Sequence, residues 1–180
     1  MRTLWTIGHS TRDWRAFVDM LQSAGITTLA DVRRFAGSRR HPHFGGETMR
    51  QALPAAGIGY LALPELGGRR PPREGSGNTA WRNAAFRGYA DYMQQPEYAD
   101  ARGRLEETAA RSPTAVLCAE AVWWRCHRGL IADDFKVRGW EVLHLLAPGN
   151  VSAHPYTSAA SIVDGRLHYG RPPDAQPDLF

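Results

Sequence analysis

Short apolar runs, each ending in a glycine or a polar residue, alternate along this chain with stretches of helical periodicity. That alternation constrains the fold more than any other feature of the sequence. Leu4-Trp5-Thr6-Ile7 stops at Gly8. Trp14, Phe17, Val18 and Leu21 then fall at i, i+3, i+4 and i+7, one face of a helix, with Ser10 or Thr11 as the expected cap and Gly25 as the stop. Thr28–Val32 reads as a second strand, 47–56 as a helix and Ile58–Ala62 as a third strand. Helical stretches are expected over 84–94 and 97–111, broken at Pro96. Thr114–Ala119 is the strongest buried-strand signal, followed by a helix from His127 to Arg138 and a strand from Trp140 to Leu146. Strands alternating with helices predict an α/β fold: a mostly parallel sheet with helices on both faces, Rossmann-like and three-layered. The expected organisation is one α/β domain over 1–149. Residues 150–180 then form a hairpin and tail, with strands at 161–163 and 166–169 about an Asp164-Gly165 turn and a loose end at Pro172, Pro173 and Pro177.

Composition narrows the classes. The chain has 180 residues, 43% hydrophobic and 22% charged, ordinary for a globular protein with a real core. No apolar run approaches the roughly 18 residues of a membrane span, and none near Met1 reads as a secretory signal. Two cysteines, Cys118 and Cys126, make no disulfide framework, so a cytoplasmic location is expected. Charge is uneven: residues 1–90 hold 13 arginines against six acids, whereas 91–180 hold nine basic residues against 12 acids. Eight arginines lie between Arg33 and Arg73, which points to an anionic small molecule or nucleic acid as partner, with a solvated basic face as the alternative. The stretch 64–79, rich in Pro, Gly and Arg, reads either as a functional loop or as a disordered one.

In parallel α/β sheets ligands bind outside the carboxyl ends of the strands. The polar groups expected there are Gly8-His9-Ser10, Asp31-Val32-Arg33, Glu65-Leu66-Gly67-Gly68, Cys118-Ala119-Glu120 and Cys126-His127-Arg128. Glu120 directly follows an apolar strand and is a candidate general acid/base or nucleophile; the alternative is a partnered structural acid. Cys126 and His127 sit at an expected helix start, where a thiol ionises more easily and an anion can bind. Arg128 suits a phosphate or carboxylate, or a structural pair with Glu120 or Asp31. Cys118, deep in a strand, reads as an inert small hydrophobe, and His144 as a satisfied core histidine. Trp123-Trp124 is either core or a stacking wall.

Familiar constellations fail. A cysteine-phosphatase loop needs Arg six residues after the nucleophile, where Ala132 or Trp124 stands. A rhodanese-like loop fails one residue earlier, and there is no Walker loop or dinucleotide fingerprint. Zinc is conceivable from Cys118, Cys126, His127 and His9, but the spacing between the two cysteines is not a standard zinc spacing, so no metal or cofactor is expected.

The ordered set Thr6-Ile7-Gly8-His9-Ser10, Asp31-Val32-Arg33, Ser38, Gly57-Ile58-Gly59-Tyr60, Glu65-Leu66-Gly67-Gly68, Phe86-Arg87-Gly88-Tyr89, Cys118-Ala119-Glu120 and Cys126-His127-Arg128 resembles the family called domain of unknown function 488, over roughly residues 3–149. Two departures stand out: Phe35-Ala36 where the family often has proline, and Trp123-Trp124 where acidic or polar residues are usual. The resemblance strengthens fold and site and leaves the activity open. Together these readings make Glu120, Cys126, His127 and His9 the candidate catalytic residues. Arg128, Arg33, Asp31, Ser10, Ser38, Arg39, Glu65, Gly67, Gly68 and Tyr60 are the candidates for anion or substrate binding. The expected activity is hydrolysis or group transfer on a nucleotide or nucleic acid, a glycosidic-bond reaction being one version. The alternatives are a thiol-dependent enzyme using Cys126 and a non-catalytic nucleotide- or nucleic-acid-binding module.

Overall fold

The computed structural model describes residues 1–170; the proline-rich end at Pro172, Pro173 and Pro177 lies outside the described residues. Eight strands and five α-helices form in the order β1 (Thr3–Gly8), α1 (Trp14–Ser23), β2 (Thr28–Asp31), α2 (Gly46–Ala52), β3 (Gly59–Ala62), α3 (Ala84–Tyr92), α4 (Pro96–Arg111), β4 (Thr114–Cys118), α5 (Arg128–Val137), β5 (Glu141–Ala147), β6 (Asn150–Ala153), β7 (Ser161–Val163) and β8 (Arg166–His168). Six strands make one sheet in the order β3-β2-β4-β1-β5-β6, parallel except for β6 at the edge. β7 and β8 form a separate antiparallel hairpin with Asp164 and Gly165 at positive φ in its turn. This is the expected α/β fold with its C-terminal hairpin. No helix among the described residues is long and apolar enough to cross a membrane.

The period-two alternation of each strand divides the core. Leu4, Ala30, Val32, Val116 and Val142 face α3, α4 and α5, against Tyr89, Leu105, Leu130 and Phe135. Ile7, Leu29, Ala115, Leu117 and Leu145 face the opposite way, against Phe17 and Leu21 of α1 and Met49 of α2. Each fully buried Leu or Phe contributes roughly 1.5–3 kcal/mol, so both layers are tightly held to the sheet.

Local chemistry moved several boundaries. Helix α1 is capped by Asp13, whose carboxylate accepts from the Ala16 N–H at 2.8 Å, rather than by Ser10 or Thr11; Ser10 takes a left-handed turn at φ 46 instead. The expected helix over 47–56 tightens to a 3₁₀ turn at Leu53–Ala56, where Pro54 ends the α-helical bonding. β6 was not anticipated: Asn-Val-Ser-Ala has weak strand character, and a turn at Pro148-Gly149 folds it back onto β5. The loop 64–79 is fastened to α3. Asp91 accepts from the Arg73 N–H, the Ser76 hydroxyl and the Asn78 amide, while the Tyr89 and Tyr92 hydroxyls donate to the Leu66 and Glu65 carbonyls.

Candidate active site

The carboxyl ends of β2, β4 and β1 lie side by side in the sheet, so the residues following them share one edge. After β2, Asp31 is the hub of a buried network. Arg33 donates to it from Nε at 2.9 Å, from Nη2 at 2.6 Å and from its backbone N–H at 3.1 Å, and the Tyr60 hydroxyl adds a fourth bond at 2.6 Å. The remaining Arg33 nitrogen, Nη1, lies 3.2 Å from His9 Nε2. His9 Nδ1 is 3.0 Å from the Ser10 carbonyl, which can only accept, so Nδ1 carries the proton and Nε2 accepts from Arg33. Burial brings the His9 pKa down to about 4; the Ser10 bond works against this and the Arg33 cation with it. The ring is therefore neutral near pH 7, both nitrogens are engaged, and it stacks on Phe44 at 4.5 Å.

Strand alternation sends the chemistry after β4 to the other face. Gly8 pairs with Cys118 and Thr6 with Val116, so His9 is one residue out of step with Cys118. Cys118 and Cys126 are both buried, and His127 Nδ1 lies 3.9 Å from the first sulfur and 3.6 Å from the second. His127 Nε2 is 3.2 Å from the Val32 carbonyl, to which it donates, and Nδ1 faces the two sulfurs. Burial opposes ionisation of Cys126, but the facing Cys118 thiol, His127 and the Arg128 cation bring its pKa well below the ordinary thiol range. Cys118 is pushed up, by its contact with Cys126 and by burial.

Glycines make the approach possible. A Cβ on Gly8 would overlap the Glu120 carbonyl oxygen, and one on Gly68 would sit 2.9 Å from His127 Nδ1. Gly67 is likewise pressed against the Arg34 backbone.

Arg128 opens α5 and is 1% exposed. Its Nη1 lies 3.4 Å from Thr6 Oγ1, its Nη2 donates to the Glu120 carbonyl, and its Nε has no partner among the described residues. Thr6 starts a chain of bonds running the other way through the core. Thr6 Oγ1 lies 2.6 Å from His144 Nδ1, His144 Nε2 lies 2.9 Å from His154 Nδ1, and His154 Nε2 lies 2.9 Å from Asp133 Oδ1. Burial keeps the His144 ring neutral, so it donates from one nitrogen and accepts at the other along this path. Trp123 is half-buried and stacks on His144 at 4.8 Å, while Trp124 is exposed.

Over the cysteines opens a cleft of about 250 Å³. Arg33, Arg34, Arg69 and Arg125 line it, with Phe35, Phe86 and the exposed Glu120. Glu120 is the one acidic side chain lining it among the described residues. A larger hollow of about 610 Å³ lies elsewhere; it borders the last described residues, and in its wall Arg102 and Arg138 both pair with Asp134.

Of the residues singled out in the sequence, Glu120, Cys126, His127, Arg33 and Gly68 line the cleft. Asp31, Tyr60 and His9 support Arg33 from behind. Arg128 lies beneath the cleft rather than in its wall, and Gly67 holds the loop close. Ser10 shapes the turn after β1 and Ser38 accepts from the His41 N–H at 3.0 Å. Arg39 is exposed, and Glu65 pairs at 2.9 Å with Arg104. None of these last four lines the cleft. The sequence reading passed over Arg34, Phe35, Arg69 and Arg125. The clustering of arginines between Arg33 and Arg73 covered Arg34 and Arg69 without saying which way they face, and nothing in the sequence marked Phe35 or Arg125.

The fold and this edge define a class: a parallel α/β protein with an arginine-lined cleft over a buried thiol pair. A family model, Domain of unknown function DUF488, matches residues 13–134, and the chain belongs to that family. No curated protein and no solved structure matches the chain.

Proposed function

We propose that this cleft is the active site of an enzyme that binds a nucleotide or nucleic-acid phosphate and carries out hydrolysis or group transfer. The reading rests on one observation: four arginines and two phenylalanines surround a single carboxylate, Glu120. Guanidinium groups recognise phosphate through paired donors, and an exposed aromatic face stacks on a base. Phe35 is 64% exposed, with the guanidinium carbons of Arg34 and Arg69 at 5.5 Å and 5.9 Å from its ring centre. Glu120 takes the proton of the attacking water or alcohol, and Arg34, Arg69 and Arg125 bind the phosphate oxygens. Arg33, clamped to Asp31, presents a fixed positive charge at the rear of the cleft.

The test is binding and turnover of labelled single- and double-stranded oligonucleotides and of free nucleotides. Arg125→Ala is expected to weaken binding on the order of tenfold, the worth of one charged hydrogen bond. Glu120→Gln is expected to bind normally and release no product. Salt-independent binding, or full turnover by Glu120→Gln, would sink the proposal. Normal binding with no product from the unaltered chain would leave a binding module.

A second reading has one observation behind it: two thiols and His127 Nδ1 face one another at the floor of the cleft. As a thiol-dependent enzyme the chain would lose all turnover in Cys126→Ser, and substrate would protect Cys126 from alkylation.

A further inference from the structure

We infer that Cys118, Cys126 and His127 hold a thiophilic divalent cation, zinc in the first instance, with its fourth coordination position facing the arginine-lined cleft. The two sulfurs and a ring nitrogen all lie within 4.8 Å of one another. A tetrahedral zinc with ordinary Zn–S and Zn–N bonds sets its sulfur and nitrogen ligands about 3.6 Å apart. The two sulfur–nitrogen separations are 3.6 Å and 3.9 Å, so the nitrogen edges of the tetrahedron already exist.

Three further features belong to metal sites rather than to a chance meeting of side chains. His127 gives its other ring N–H to the Val32 carbonyl, which orients the imidazole and leaves Nδ1 free to bind. Tyr89 supports that ring, with centroids 5.1 Å apart. Gly68 leaves open the space at Nδ1 that any side chain would fill, since a Cβ there would lie 2.9 Å from this atom. The donor set also selects its ion: two thiolates and an imidazole suit zinc and disfavour magnesium or calcium. Three protein ligands with an open side is the pattern of catalytic zinc rather than of closed structural sites. The open side is the cleft, where Glu120 stands. His9, the fourth ligand conceivable from sequence, is excluded because it faces the other side of the sheet and both its nitrogens are engaged.

The inference stands apart from the proposed reaction and is read without any substrate. The full chain, treated with chelator under reducing conditions and desalted, is titrated with Co²⁺. One equivalent is expected to give thiolate-to-cobalt charge-transfer absorption and the intense visible bands of a tetrahedral centre, both abolished by one equivalent of Zn²⁺. In the unaltered protein, zinc is expected to hide both cysteines from a thiol reagent and chelator to expose them again. Cys118→Ser and Cys126→Ser each remove the charge-transfer band. Gly68→Ala, which removes no ligand, weakens binding tenfold to a hundredfold. His41→Gln, a half-buried histidine outside the cleft lining, changes nothing. No charge-transfer band with excess cobalt, or thiols equally reactive with and without zinc, would overturn the site. Cobalt bound through both cysteines in a chain that processes no nucleotide keeps the metal and removes the proposed activity. Hydrolysis by a chain that gives no cobalt band does the reverse.

Discussion

His9 and His144 are histidines kept neutral by burial, His9 with a pKa of about 4 and His144 of about 2. Unfolding releases each to the ordinary value near 6.5, so between pH 6.5 and about 4 the unfolded chain binds protons that the folded chain refuses. Stability contributed by His9 is therefore complete above pH 6.5 and lost as pH falls to about 4, with His144 continuing the loss below that. Urea unfolding at pH 7.5, 6 and 5 is expected to show a falling midpoint across this series. His9→Gln should flatten that fall while being less stable at pH 7.5; an unchanged pH slope would show that His9 carries no such linkage. Gly8 makes a second single-residue case. Gly8→Ala forces a methyl group into the Glu120 carbonyl, so it is expected to displace Glu120 and cost roughly 1–3 kcal/mol, read from a lower midpoint of unfolding.

One carboxylate on α5 gathers much of the segment after β6, beside the bond from Lys136 to the His154 carbonyl. Asp133 accepts from His154 at 2.9 Å, from the Thr157 N–H at 2.9 Å, from the Thr157 hydroxyl at 2.6 Å and from the Tyr169 hydroxyl at 2.8 Å. Asp133→Ala leaves these donors buried and unpaired, which costs on the order of 3–5 kcal/mol. Hydrogen exchange is expected to rise first in residues 154–169 and in the β7–β8 hairpin, and only later in β1 and β4. Uniform acceleration across the chain would mean that Asp133 supports the whole sheet instead. This dependence was not visible in the chain: His154, Thr157 and Tyr169 sit in weakly patterned sequence, and nothing there marks a shared partner on α5. By contrast, α1 and the strand cores were legible from periodicity alone, since Phe17 and Leu21 on one helical face and Val116 and Leu117 in an apolar run require burial wherever they land.

The uneven charge of the chain takes its meaning from the cleft. Arginines 34, 69 and 125, far apart in sequence, converge there, and each one that meets a phosphate releases counterions. Binding to a nucleic acid is therefore expected to weaken as salt rises. Arg34→Ala or Arg69→Ala should lower the slope of log affinity against log salt by about one. An unchanged slope in both variants would move the phosphate contacts elsewhere.

Local physics decided much before any tertiary contact formed. Strand and helix identity follow from periods of two and 3.6. The sheet's carboxyl edge follows from the parallel α/β pattern, and the crowding of polar residues at that edge follows from where each apolar run stops. Asp31, Glu120, Cys126 and His127 were legible for that reason. Which face of the sheet each group occupies, and which distant groups it meets, depends on register. The β1–β4 register puts His9 and Cys118 out of step, separating a histidine from the thiols that composition alone would have grouped with it. The return of the chain at α5 brings Cys126 and His127 onto Cys118, although the cysteine spacing in sequence matches no standard metal site. Spacing along a chain is informative only when one local element carries all the ligands. Here a strand end and a helix entry carry them, and only the sheet that joins those elements brings them together.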